Sequence, residues 1–356
     1  MEQTELNVNL GSRAYPIHFG RGLLEHLADY VNLDRKVLVL TDDGVPKEYL
    51  DTVLAQCPNG SAEVVPMGEG AKSFPVFERV CARMLELNFG RRDLLIALGG
   101  GVVGDLGGFA AAGYMRGIDF IQIPTTTLSQ IDSSVGGKTA INLNGVKNII
   151  GAFHQPRLVL ADPKTLSTLP DAYFTDGMGE VIKYGCIADA ALFDKLEQGQ
   201  VIDHLEETIC RCVLCKKHFV EEDTNDKGQR MILNFGHTFG HALEKLTGFS
   251  SLSHGLAVGI GMVMAGEVGE SLGVTEKGTA ARIRRVLESY GMPTESAFDF
   301  AKVVEATALD KKSFGKTLNL ILLKQIGESV IHPVDRNYLV LRYKLAAEQN
   351  RRRKLN

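Results

Sequence analysis

The first half of the chain switches repeatedly between two hydrophobic periods, and that alternation restricts the fold more than any other feature. Lys36–Thr41 (KVLVLT), Ala62–Met67, Leu94–Leu98 (LLIAL), Phe120–Ile123 and Leu158–Leu160 are short apolar runs of strand length. Between them lie helical patterns such as Phe74–Leu87, where Val76, Val80, Met84 and Leu87 recur every three or four residues. Strands alternating with helices imply a parallel sheet covered on both faces, with ligands beyond the carboxyl ends of its strands. After Pro170 the texture changes. Tyr173–Tyr290 reads as long helices, followed by one strand candidate at Leu318–Leu323, and Asp162–Pro170, with two prolines, is the natural junction. The expected architecture is an α/β N-terminal domain with a Rossmann-like parallel sheet over residues 1–168, then a mainly α-helical C-terminal domain over residues 169–356.

Composition excludes several classes. Of 356 residues, 44% are hydrophobic and 23% charged, enough apolar surface to fill two cores. The net charge of −4 supplies no basic field for nucleic acid. Glu2 and Glu5 open the chain with no basic-then-apolar leader, so nothing predicts secretion. The longest stretch without Asp, Glu, Lys or Arg, Leu246–Gly266, holds three serines, five glycines and His254, too polar for a membrane span. A cytoplasmic protein without membrane or nucleic-acid partners is expected. Six cysteines make no disulfide framework in a chain this long. Cys210, Cys212 and Cys215 crowd one helical segment, either as a thiolate site or as small apolar packing.

Three sets of residues could carry chemistry. Gly99-Gly100-Gly101-Val102-Val103-Gly104-Asp105 follows a strand and opens a small-residue helix, where glycines let backbone approach a pyrophosphate. No acidic residue closes a second strand about 20 residues later, as the common dinucleotide fingerprint requires. Asp42 does end a strand, but upstream of the glycines. In the helical half, Glu180 lies in Gly177–Gly185 (GMGEVIKYG), His237 and His241 stand at i, i+4 in Asn234–His241 (NFGHTFGH), and His254 follows. Imidazoles with a carboxylate suit a divalent cation with one open position. Spacing alone favours His237 and His241 with either Glu180 or His254; core histidines satisfied by backbone are the plain alternative. The third set is cationic. Arg116, Lys138, Lys147, Lys183, Lys216 and Arg230 each stand beside glycine or within apolar sequence. Lys138 falls in Asp132–Thr139 (DSSVGGKT), which is no triphosphate loop because Ile131 and Asp132 stand where its first glycine belongs.

Together these segments, with Tyr114–Gly117 (YMRG), Pro124–Thr127 (PTTT) and Lys147–Pro156 (KNIIGAFHQP), resemble the 3-dehydroquinate synthases among the sugar-phosphate cyclases. The resemblance spans most of residues 36–330. It implies a phosphorus–oxygen lyase of the shikimate pathway, with NAD and zinc (or cobalt) as cofactors, a phosphorylated sugar acid as substrate, and a homodimer. By match to the family, Glu180, His237 and His254 hold the metal and His241 meets substrate. Asp42, Glu69, Lys72, Gly100, Gly101, Asp105, Thr125, Thr126, Lys138, Lys147, Asn148 and Thr168 line the NAD site. Asp132, Lys138, Asn148, Lys183, Lys216, Arg230, Asn234 and His241 contact substrate, joined by Lys312 and, for its phosphate, Arg116. Two departures stand out. Gly179 replaces the family's usual alanine, and Thr224 and Asp226 stand where glutamates are usual. The competing readings are a metal-dependent polyol dehydrogenase, another sugar-phosphate cyclase, and a non-catalytic dinucleotide-binding protein. The first would release NADH and need no dense cationic set; the last would lack a metal ligand.

Overall fold

In the computed structural model, residues 4–226, 228–248, 251–307 and 317–341 are described. The chain divides into two compact units, Met1–Phe174 with His204–Asn225, and Thr175–Asp203 with Asp226–Asn356.

The first unit is built on a seven-stranded sheet. Its strands are β1 (Thr4–Val8), β2 (Tyr15–Phe19), β3 (Lys36–Asp42), β4 (Asn59–Val65), β5 (Leu94–Gly99), β6 (Asp119–Pro124) and a later strand, Val159–Ala161. In spatial order they run β1, β2, Val159–Ala161, β6, β5, β3, β4. All neighbours are parallel except β1 on β2, which is antiparallel. The continuous apolar runs arise because both faces are covered. On β3, Leu38 and Leu40 enter one core while Val37 and Val39 enter the other; on β5, Leu95 and Ala97 oppose Leu94, Ile96 and Leu98. Each such valine, leucine or isoleucine contributes about 1.5–3 kcal/mol on burial. Helices α1 (Lys47–Leu54), α2 (Phe74–Glu86) and α3 (Gly101–Gly113) supply the covering layers. Small residues let α3 lie close to its neighbours: a Cβ at Gly108 would stand 2.4 Å from Thr139 Cγ2.

Sequence and structure differ at the sheet's margins. The Ala62–Met67 run lies in a strand that begins earlier, at Asn59, and ends at Val65, because it pairs with β3 from Lys36 onward. It is an edge strand, so its polar start needs no second partner. A further pair, β7 (Lys138–Leu143) and β8 (Val146–Phe153), forms a separate antiparallel hairpin, and Val159–Ala161 is therefore β9. The hairpin turns on Asn144 and Gly145, both with positive φ, the Asn-Gly signature of a tight two-residue connection.

The helix Leu205–Glu222 belongs to the first unit, whereas the sequence division at 168/169 puts it in the second half. Long-range polar contacts explain its allegiance. Arg21 pairs with Glu206, the Asn9 N–H donates to Glu221 Oε1 at 2.5 Å, and Lys216 donates to the Asp132 carbonyl at 2.5 Å.

The second unit is mainly helical. It contains most of α4 (Asp171–Ala188), then α5 (Ala190–Glu197); after α6 (Leu205–Glu222) in the first unit come α7 (His237–Leu246), α8 (His254–Leu272), α9 (Thr279–Ser289) and α10 (Phe300–Thr307). A hairpin of β10 (Thr317–Gln325) and β11 (Glu328–Asp335) follows. The Leu318–Leu323 candidate lies inside β10. The hairpin is tied to α4 by Gly327 N–H to the Cys186 carbonyl, 2.8 Å, and Ser329 Oγ to the Ile187 carbonyl, 3.1 Å. By length and composition α8 could cross a membrane, which the polarity of Leu246–Gly266 did not predict, yet 72% of its apolar window is buried inside the protein. That burial is the mark of a core helix.

Candidate active site

In the first unit, the sheet gathers the expected cofactor residues at the carboxyl ends of its strands. Asp42 closes β3, Gly100 and Gly101 follow β5, and Thr125 and Thr126 follow β6. Burial lifts the Asp42 carboxyl above its usual range, against hydrogen bonds from the Gly44 and Val45 amides. Gly100 and Gly101 form a close turn: a Cβ on Gly100 would stand 3.1 Å from Thr126 Cγ2, and one on Gly101 would stand 2.9 Å from Ser133 Oγ. The amino end of α3 directly follows β5 and carries no side-chain cap.

A polar network joins four of the expected residues. Buried Lys72 donates to Asp105 Oδ2 at 2.6 Å, also bonds Asn148, and stands 3.6 Å from Glu69. Asn142 links the same group by donating to Glu69 Oε1 at 2.8 Å and accepting from the Asn148 amide at 2.8 Å. Burial raises the Asp105 carboxyl despite Lys72. Lys138 and Lys147 lie on the β7–β8 hairpin, Lys138 exposed at its start. Because Lys138 opens a strand and not a helix, its glycines make no triphosphate cradle. Thr168 is exposed in the turn after β9, where its hydroxyl meets Tyr49 Oη at 2.8 Å.

Asp132 lies on a π-helical turn, Ser129–Ser133, a local widening that recurs at functional sites. Lys216 of α6 bonds both its carboxylate and its carbonyl. Arg116 does not join this edge. It precedes β6 and so lies at the amino-terminal end of the strands, exposed, with Met115 and Arg116 both at positive φ.

The second unit brings Glu180, His237 and His254 together. Their ligand-type atoms all lie within 4.8 Å of one another. Glu180 Oε1 stands 3.4 Å from His237 Nε2 and 3.5 Å from His254 Nε2, while Lys183 contacts Oε2 from one helical turn along α4. Glu180 is fully buried, and neither of its oxygens has a well-formed hydrogen bond. A buried carboxylate faced by two imidazole nitrogens is a donor set that fits a divalent cation of the zinc type. Burial holds the His237 ring well below its usual pKa, against the pull of Glu180. For His254 burial acts in the same direction but loses to Glu180 and Glu244, which hold it up at about 10. The Glu180 carboxyl is depressed: burial would raise it, but Lys183, His237 and His254 outweigh burial.

Two helices are locked together to make this cluster. Asp176, one turn before Glu180, accepts from the Gly255 N–H at 2.7 Å and caps α8 directly behind His254. Gly179 is the contact point; a Cβ there would lie 2.5 Å from the Gly255 carbonyl oxygen, so this glycine is tied to the close approach of the helices. His241 lies one turn after His237, its ring 5.4 Å away and edge-on. A second group, His241, Glu244 and His254, also has ligand-type atoms within 4.8 Å of one another. Arg230 and Asn234 sit in the turn before α7, Arg230 fully buried. Lys312 lies outside the described residues. The three clustered cysteines lie on α6, Cys212 buried, and neither metal-type group among the described residues includes a cysteine. Sequence reasoning missed Asp176, Glu244 and Asn142, none of which lies in a recognisable motif.

The family patterns described as 3-dehydroquinate synthase N-terminal and 3-dehydroquinate synthase C-terminal match residues 62–176 and 177–313. The chain belongs to the 3-dehydroquinate synthase family. A 3-dehydroquinate synthase of Clostridium perfringens (strain 13) is 45% identical over 339 residues, covering 92% of this chain and 97% of that protein. Among solved structures, 2-deoxy-scyllo-inosose synthase complexed with carbaglucose-6-phosphate, NAD+ and Co2+ superposes with a TM-score of 0.85 at 27% identity, over 94% of this chain and 98% of that one. The 2-epi-5-epi-valiolone synthase of Streptomyces hygroscopicus, with NAD+ and Zn2+ bound, gives a TM-score of 0.84 at 26% identity, over 94% and 97%. The chain is thus similar in fold to other sugar-phosphate cyclases and in sequence to the dehydroquinate synthases.

Proposed function

We propose that this chain is a working 3-dehydroquinate synthase, converting 3-deoxy-D-arabino-heptulosonate 7-phosphate to 3-dehydroquinate and phosphate. The observation that carries the reading is the fully buried Glu180 carboxylate facing His237 and His254, in a chain 45% identical to a named synthase over nearly its full length. Glu180, His237 and His254 would hold the cation, and the edge from Asp42 through Gly100, Gly101 and Thr125 to the Lys72–Asp105 network would hold NAD. Bound there, NAD supplies reversible hydride acceptance, and the cation lowers the pKa of a ligated hydroxyl.

The chain's own residues supply charge and orientation. Lys183, Lys216 and Arg230, each at most 7% exposed, hold positive charge where water is excluded and cost no reorganisation when anionic groups develop. Lys138 and Lys312 add charge for carboxylate and phosphate. Asp132 fixes Lys216 and orients a hydroxyl, while Asn234 and His241 position hydroxyls and relay a proton. The departing phosphate takes the proton from the neighbouring carbon, so no separate strong base is required.

Arg116 serves the substrate phosphate from a neighbouring subunit of a homodimer. Its place at the far end of the strands supports this, as do the exposed apolar side chains of Met115, on the same turn, and Phe153, next to His154, whose ring nitrogen lies 2.9 Å from the Ile118 carbonyl oxygen. The enzyme works in the cytoplasm. The test is to incubate purified protein with NAD and zinc and either the heptulosonate phosphate or glucose 6-phosphate, identifying the carbocycle by mass spectrometry. Dehydroquinate from the first and nothing from the second supports the proposal. A carbocycle from glucose 6-phosphate alone makes the chain a different cyclase.

A further inference from the structure

The two imidazoles facing Glu180 are held differently from behind. His237 presents Nε2 to Glu180 while its Nδ1 lies 3.1 Å from the Phe235 carbonyl oxygen, two residues back in the chain. That carbonyl can only accept, so Nδ1 carries the proton and Nε2 keeps its lone pair. His254 also presents Nε2 to Glu180, at 3.5 Å, but its Nδ1 faces a side chain, Glu244 Oε2, at 3.5 Å. Glu244 comes from the second turn of α7, seven residues after His237, and is 3% exposed. Burying a carboxylate is costly unless it serves a charged or strongly polar partner. His254 is the first residue of α8, so its ring is not held by a preceding helical turn.

We infer that Glu244 is a positioning residue that fixes His254 with Nδ1 protonated and Nε2 turned toward the cation. The inference rests on the metal reading of Glu180, His237 and His254 given above. A carboxylate behind one ligand and a carbonyl behind the other is a common arrangement for metal-bound imidazoles; it sets the tautomer, the ring angle and the ligand's basicity. Only a few tenths of an ångström separate the present 3.5 Å from an ordinary hydrogen bond. The alternative use of the same residues is a second cation on His241, Glu244 and His254. That would require His254 to bridge two cations through both nitrogens, losing the Nδ1 proton, with His241 exposed on the outer side. A proton is the simpler occupant of the gap.

The experiment compares wild type, E244A and E244Q as full chains. Zinc affinity and stoichiometry are measured by competition with a chromogenic chelator. The exchangeable imidazole N–H resonances are then recorded in the cobalt(II)-substituted proteins. We expect one ion per chain in all three, with affinity about 10–100-fold weaker in E244A. E244Q keeps the volume and an acceptor oxygen, so it folds and recovers part of that loss. In wild type two shifted N–H signals are expected, from His237 and His254; in E244A the His254 signal is lost to solvent exchange while that of His237 persists. A purely structural role for Glu244 would not remove one signal selectively. Affinity within threefold of wild type in both variants, with both N–H signals intact, overturns the inference and leaves the metal reading standing. Two ions per wild-type chain, one lost in E244A, overturns it in favour of the second site. No zinc bound by wild type overturns both.

Discussion

Replacing Glu180 by glutamine keeps shape and volume and removes one buried negative charge. In the metal-free protein that charge faces Lys183, itself 1% exposed, and the rings of His237 and His254. Removing one partner of a buried pair costs about 3–5 kcal/mol, because the other charge stays out of water without its counter-charge. At about 2–4 °C per kcal/mol for a unit of this size, apo E180Q should melt roughly 6–20 °C below wild type. The second effect is separate. Zinc at about 100 times its dissociation constant stabilises wild type by about 2.7 kcal/mol, and E180Q should show no such gain. Differential scanning fluorimetry of both proteins, stripped and zinc-loaded, reads both effects. An E180Q that melts within 2 °C of wild type and keeps its zinc response would contradict both effects. If it loses the zinc response but not its apo stability, Glu180 remains a ligand and the buried-pair argument fails.

Three further outcomes follow from the same cluster and from the thiols. Gly179→Ala places a methyl against the Gly255 carbonyl at 2.5 Å, which backbone on both sides must relieve. Overpacking of this kind costs about 1–3 kcal/mol, and zinc affinity should fall as His254 moves from Glu180; calorimetric titration that matches wild type would show that the helices separate freely. Zinc binding should strengthen as pH rises from 6 to 9, about tenfold per unit, because His254 holds a proton up to about 10 without metal and must release it. The sign for the apo protein is opposite: a raised pKa stabilises below the unfolded value near 6.5, and that contribution is lost as pH rises toward about 10. A zinc affinity flat with pH would contradict this. Burial pushes the Cys57 and Cys81 thiols up to about 11 and raises Cys186 further, so maleimide at pH 7 should leave all three unlabelled until the chain is denatured, as peptide mapping would report.

The parallel core was legible because strands buried on both faces leave continuous apolar runs, as in Leu94–Leu98. The first two strands were not. Thr4–Val8 and Tyr15–Phe19 are five residues each with mixed polarity, and their pairing is set by long-range contact. The β7–β8 hairpin, which sets Asn142, Lys147 and Asn148, has only a local signal in Asn144-Gly145, because its strands are short and it stands apart from the main sheet. The allegiance of α6 could not be read from its own residues, since Asn9, Arg21 and Asp132 lie far away in sequence. At the cluster, Glu180, His237 and His254 entered through the resemblance; spacing alone left His241 among the choices. Asp176 and Glu244 were silent because a supporting carboxylate has no motif. It acts only through the helix it caps or the ring it faces.

As a member of the dehydroquinate synthase family, this chain should use its redox cofactor without net consumption. The direct measurement is phosphate release and NADH absorbance recorded together, with purified protein, the heptulosonate phosphate and a trace of NAD. Many phosphates released per NAD with no net NADH, abolished by a chelator and restored by zinc, is the predicted result. Stoichiometric NADH formed from a simple polyol, with no phosphate released from the sugar acid, would contradict it and leave a dehydrogenase.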